Sequence, residues 1–180
     1  MNVRKLIHDA YAVDLMQTMD MTIYTGGKGS GITAKQDPPG QSSTNAVSRR
    51  MRAGKIIHAV ESQAKHRAAW LRTCYTPSQF CSKDDFVVVV DHIKNSVRLA
   101  CKTDVDHIQC GLLVEARVVD ARLSAFGGRG ITLSDIQDHV GVGTGRWYSS
   151  LAWRDALIKS EMNRLDGITL GRVSSCLTNR

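Results

Sequence analysis

The chain has 180 residues, 42% of them hydrophobic, and a formal net charge of +7. That apolar fraction supports a packed core, which excludes a wholly disordered chain. The longest apolar run, Phe86 to Val90, falls far short of the ~18 residues that a membrane span needs. The length fits one large domain or two small ones.

Met1-Asn2-Val3-Arg4-Lys5 leads into Ile7-His8-Asp9 rather than an apolar stretch. No secretory signal is expected, and the expected location is the cytoplasm. Val3, Leu6, Ile7, Ala10, Val13 and Met16 fall three or four apart, which predicts an N-terminal helix within residues 1–23. Residues 24–45 change character. They contain Gly26-Gly27-Lys28-Gly29-Ser30-Gly31 and Asp37-Pro38-Pro39-Gly40, and they read as a flexible linker or exposed loop. The glycine run is no phosphate cradle, because Lys28 is followed by Gly29 and no apolar strand precedes it.

Helical spacing resumes over 46–73, through Val47, Met51, Ile56, Val60, Ala64, Ala68 and Leu71. The opposite face carries Arg49, Arg50, Arg52, Lys55, Lys65, Arg67 and Arg72, offset only by Glu61. A helix of this kind suits contact with phosphate, although a solvated surface would look the same. Pro77 ends it. Ser82-Lys83-Asp84-Asp85 looks like the start of the next helix, with Ser82 or Asp84 as cap. The run Phe86-Val87-Val88-Val89-Val90 favours a strand by propensity. The flanking acids and the later Ile93 and Val97 favour a helix, which is the expectation adopted. A further helix follows over 104–125, stopped by Gly127-Gly128.

Residues 129–160 fit helix-turn-helix grammar. Thr132 or Ser134 can cap a short first helix whose Ile136 and Val140 face inward. Gly141 falls where a tight turn needs a positive backbone angle. Val142 fills the angle between the helices, and Gln137 stands where a small residue is usual. A short second helix starts near Thr144, with Trp147, Leu151 and Trp153 expected toward the core. Its outward residues, Thr144, Gly145, Arg146, Tyr148, Ser149 and Ala152, would enter the major groove of double-stranded DNA. Arg146 is placed to take guanine in a two-pronged contact. Arg129 and Arg154 would hold the flanking phosphates. Asp166-Gly167 reads as a break before a last helix or tail. The fold class expected is therefore all-α. It is a helical bundle whose body spans 46–180, with the helix-turn-helix at about 132–157.

Five cysteines, Cys74, Cys81, Cys101, Cys110 and Cys176, include no C-x-x-C pair. The odd number implies reduced thiols. Cys74, Cys81, His92 and Cys101 are a conceivable metal set, but buried reduced cysteine is commoner, so no metal and no cofactor is expected. Cys74 or Cys110 with His66, His92 or His107 could form a nucleophilic pair, and Asp84, Asp85 and Asp91 with His92 a metal nuclease. No flanking motif supports either enzyme.

The order of these features resembles the late-gene antitermination protein Q family of lambdoid phages, in the branch lacking the zinc finger. The resemblance covers about residues 55–175. It rests on Ala68-Ala69-Trp70-Leu71-Arg72-Thr73-Cys74-Tyr75, on Ile131-Thr132-Leu133-Ser134-Asp135-Ile136 with Val140-Gly141-Val142, and on Trp147 and Trp153-Arg154. The resemblance implies a DNA-binding factor that recognises a late-promoter element. It also implies loading onto paused bacterial RNA polymerase with sigma factor still engaged, then suppression of pausing and termination. The implied partners are duplex DNA, that polymerase and, near the basic helix, nascent RNA. A helix-turn-helix repressor or a phage packaging DNA-recognition subunit would share the same DNA-reading unit.

Overall fold

The computed structural model describes residues 2–13, 42–101 and 103–178, and every regular element among them is helical. α1 covers residues 3–13. It is followed by α2 (Ser42–Glu61), α3 (Lys65–Tyr75), α4 (Lys83–Val97), α5 (Asp104–Ser124) and α6 (Leu133–Val140). The last helix runs through three stretches: α7 (Thr144–Arg146), a π-helical stretch (Trp147–Leu151) and α8 (Ala152–Thr178). No helix among the described residues is long and apolar enough to cross a membrane. The expected N-terminal helix is present as far as residue 13, and its remainder lies outside the described residues. So does the expected linker from 24 to 41, whereas 42–45 already belong to α2.

α8 is the axis of the bundle. It packs on α2, α3, α4 and α5, and Ile158, Met162, Leu165, Thr169 and Val173 make its buried stripe. The break expected at Asp166-Gly167 does not occur. Asp166 instead accepts three hydrogen bonds, from Trp70 Nε1 at 3.0 Å, Tyr75 OH at 2.6 Å and Arg4 Nη2 at 2.8 Å. Glycine inside a helix costs about 1 kcal/mol. Burial of the flanking Leu165 and Val173 outweighs that, at roughly 1.5–3 kcal/mol per large apolar side chain. The Trp70–Tyr75 element is thus a latch between α3 and α8.

The single helix expected over 46–73 is two helices. Ala64 turns the chain in an extended conformation, φ −56° and ψ 145°. Gln63 staples the corner by donating to Ala59 O at 3.2 Å and Thr169 O at 3.4 Å. With no glycine or proline at 62–64, periodicity carried no sign of this corner.

The valine run is helical, as expected from its start signal. Ser82 accepts from the Asp85 backbone N–H at 2.9 Å, and Val89, Val90, Ile93 and Val97 are buried. Arg72 grips Asp85 through both carboxylate oxygens, at 2.8 and 2.6 Å, so α3 and α4 are clamped at that end. α5 is capped by Thr103, which accepts from the Asp106 N–H at 3.1 Å. Its Arg117 forms a buried fork on Asp155 of α8, at 2.6 and 2.8 Å. Asp120 then accepts the Ile131 N–H at 2.8 Å, which fixes where the chain enters α6.

Candidate nucleic-acid interface

α6 begins on a capping box. Thr132 Oγ1 accepts from the Asp135 N–H at 3.2 Å, and Asp135 Oδ2 accepts from the Thr132 N–H at 3.1 Å, so two otherwise orphaned donors are satisfied. Ile136 and Val140 are buried, as their spacing predicts. Gly141 takes φ 73° and ψ 38°, the left-handed region where a Cβ is disfavoured. Val142 donates back to Gln137 O at 3.0 Å, closing the turn, and its side chain is buried between the helices. Gln137 is buried too, and its Nε2 has no hydrogen-bond partner. The departure from a small residue at that place therefore leaves a donor unmatched.

The second helix starts at Thr144, after Gly143 in extended conformation. Thr144, Gly145, Arg146, Tyr148 and Ser149 are exposed, while Ala152 is half-buried. Trp147 and Leu151 are buried and dock the helix on the core. A Cβ at Gly145 would meet no atom within 4 Å, so nothing in the chain requires glycine there. Arg146 Nη2 reaches the neutral amide oxygen of Gln109 on α5 at 3.4 Å, and no carboxylate pairs with it among the described residues. Arg129 is exposed ahead of α6.

Three expectations at this helix are corrected. Arg154 is only 6% exposed, with Nη1 2.8 Å from Asp106 Oδ1, so it does not reach out to a flanking phosphate. Trp153 is 47% exposed rather than in the core. The inward stripe passes through Leu151, Arg154, Asp155 and Ile158. Trp153 stands two residues after Leu151, roughly 200° round the helix, and so falls outward. The helix is also not a short one, since it continues to Thr178.

The backbone is irregular at this place. Ala152 N–H donates to Trp147 O, a five-residue return in place of four. Ser149 and Ser150 both donate their hydroxyls to Arg146 O, at 3.3 and 3.1 Å. Single π turns inside α-helices occur frequently at functional sites.

The second basic set lies on two helices rather than one. Arg49, Arg50, Arg52 and Lys55 are exposed on α2, while Lys65 is exposed and Arg67 half-buried on α3. No ion pair engages these six among the described residues. Arg72 leaves the set, because Asp85 and Glu61 hold it.

Two of the thiols, Cys74 and Cys110, are buried. Burial pushes Cys74 upward, and burial with the neighbouring Cys101 pushes Cys110 up to about 12, opposite to what an attacking thiolate requires. His66 and His92 stack on each other at 4.0 Å. Among the described residues no group of three or more His, Cys, Asp or Glu could hold a metal ion. Sequence reasoning missed Gln109 and Asp106 on α5, which support the second helix from behind. It also missed Trp153 as a surface residue, although Gly145, Ser149, Trp153 and Leu157 recur every four positions. Comparison with protein-family models, with curated proteins and with solved structures finds no match to this chain.

Proposed function

We propose that the chain is a DNA-binding transcription antitermination factor and that the α6–turn–α7 unit is a helix-turn-helix. The observation that carries DNA binding is the exposed row on the second helix. Thr144, Arg146, Tyr148 and Ser149 all face solvent on a helix anchored from beneath by Trp147 and Leu151. A helix presented in this way fits the major groove, where an arginine fork discriminates guanine. Thr144, Gly145 and Ala152 line the same approach, and Arg129 reaches the adjoining phosphates. The exposed cations of α2 and α3 add a sequence-independent hold on phosphate or nascent RNA.

The choice of antitermination among DNA-binding activities rests on the resemblance to the phage antitermination family, carried by the Trp70–Tyr75 element and the 131–154 segment. On that reading the partners are duplex DNA and bacterial RNA polymerase with its sigma factor, in the host cytoplasm. The test is transcription by polymerase holoenzyme from a phage late promoter with a downstream pause and terminator. An antiterminator raises read-through on its own promoter. A repressor lowers initiation and leaves read-through per transcript unchanged. A packaging subunit binds DNA and changes neither.

A further inference from the structure

The outward face of the second helix holds more than polar readers of base edges. Gly145, Ser149, Trp153 and Leu157 follow one another at four-residue intervals, and Trp153 and Leu157, both beyond the π turn, share one row along α8. Trp153 and Leu157 are 47% and 44% exposed, and Tyr148, in the π turn, is 66% exposed. On an unbroken α-helix Tyr148 and Trp153, five positions apart, would point roughly 140° away from each other. The π turn between Trp147 and Leu151 takes up extra chain. A turn that holds more residues narrows that angle.

The indole is also held. The Arg154 guanidinium lies over its ring at 5.0 Å, and Arg154 is itself pinned by Asp106. A large aromatic side chain at the surface, fixed by a buried ion pair, is a preformed platform rather than a loose hydrophobe.

We infer that Trp153 stacks on unpaired nucleic-acid bases, so that the DNA held on this face is a duplex with an open, single-stranded portion next to it. The inference rests on the DNA-binding reading above and specifies the form of DNA. Inside a duplex, bases present only their edges to a groove. An indole offers one donor and no acceptor for reading edges, and its main capacity lies in its π face. Only an unstacked base presents the matching surface, and stacking of this kind is the general means by which single strands are held. The charge of the helix itself favours nucleic acid over an apolar protein surface. From Thr144 to Ser160 the one acid is Asp155, and it is buried between Arg117 and Lys159. Lys159 is paired with Asp155, so Arg146, which no carboxylate pairs among the described residues, is the cation this stretch leaves unneutralised.

The test uses the full chain with three fluorescein-labelled probes: a random-sequence duplex, the same duplex with a central mismatched bubble, and oligo(dT). The wild type should bind the bubble more tightly than the duplex. Trp153→Ala should weaken bubble and oligo(dT) binding roughly 5- to 150-fold and leave duplex binding unchanged, while Trp153→Phe should keep most of the affinity. Indole emission should be quenched by oligo(dT) in the wild type and not in Trp153→Phe, since Trp70 and Trp147 are buried. This readout holds even if Trp153→Ala fails to fold. Equal affinity for bubble and duplex, or an equal loss on both from Trp153→Ala, overturns the inference. If Arg146→Ala still weakens duplex binding in that case, the groove-reading assignment survives. If Arg146→Ala changes nothing while Trp153→Ala loses the bubble, the stacking stands and the groove assignment falls.

Discussion

Arg146→Ala and Arg154→Ala remove the same chemical group eight positions apart on one helix, and they should fail in opposite ways. Arg146 is exposed and has one long contact, 3.4 Å to the uncharged Gln109 amide. Its loss should change folding stability by less than about 0.5 kcal/mol, the usual range for a surface substitution. If the side chain forks onto guanine, specific DNA binding should weaken by about 1–3 kcal/mol, and discrimination at that base should relax. Arg154 is buried and sits 2.8 Å from Asp106, whose side chain is 18% exposed. Removing one partner of a buried pair costs about 3–5 kcal/mol because the other charge is stranded. Partial exposure of Asp106 places this pair near the lower end, about 3 kcal/mol. At roughly 2–4 °C per kcal/mol for a chain of this size, the Tm should fall by about 6–12 °C. Urea titration gives the stability difference, and anisotropy at saturating folded protein gives the affinity. The reasoning is refuted if Arg146→Ala lowers the midpoint as much as Arg154→Ala does, or if Arg146→Ala binds selected DNA as well as the wild type.

Gly141→Ala should destabilise by about 1–2 kcal/mol, purely through the backbone, because a Cβ there would meet no neighbour within 4 Å; a urea midpoint equal to that of wild type would refute this. Neutralising Arg49, Arg50 and Arg52 to glutamine should reduce the slope of log affinity against log salt by roughly 2–3 if all three meet phosphate, and an unchanged slope would place α2 elsewhere. Burial first, then the facing charges of His92, Arg67 and Arg164, holds His66 below the ordinary imidazole range; burial and Arg164 do the same to His92 against the opposing pull of Glu161. The unfolded chain therefore binds more protons than the folded one as pH drops through about 6.5, and stability that is full above that pH should decline below it. Urea titrations from pH 7 to pH 5 should show this decline in the wild type and a flatter profile in His92→Phe, and identical profiles would refute it.

What the sequence made legible follows from local chemistry. Ser82 before two aspartates, Thr132 three residues before Asp135, and Gly141 after an amphipathic run each act within one helical turn, and each stands where local reasoning puts it. The valine run shows the same logic prevailing over propensity. The misreadings share a different origin, in contacts distant along the chain. The corner at 62–64 is held by Thr169, more than a hundred residues away. Asp166-Gly167 stays helical because Trp70, Tyr75 and Arg4 gather on its carboxylate. Arg154 points inward because Asp106 waits on another helix. A basic residue among outward positions looks like a phosphate contact until its acid is located, and no periodicity locates it.

The continuity of the last helix sets how DNA binding would act on the rest of the molecule. The exposed row from Thr144 to Trp153 belongs to the same rod as the stripe from Ile158 to Val173, around which α2 to α5 are packed. The π turn is the irregular step along it, and it is braced by the buried Trp147 and Leu151 and by Gln109 and Asp106 of α5. A reading head on a tether can dock while its body keeps orienting freely. A head that is the first turns of the central helix cannot, so docking in a groove would fix the direction of the whole bundle relative to the DNA axis. On the antitermination reading this matters mechanically, because a polymerase paused beside the site would meet one defined face of the protein. A flexible insertion between Leu151 and Ile158 should therefore abolish read-through far more than it weakens DNA binding. Equal losses in the two assays would show that orientation carries no part of the activity.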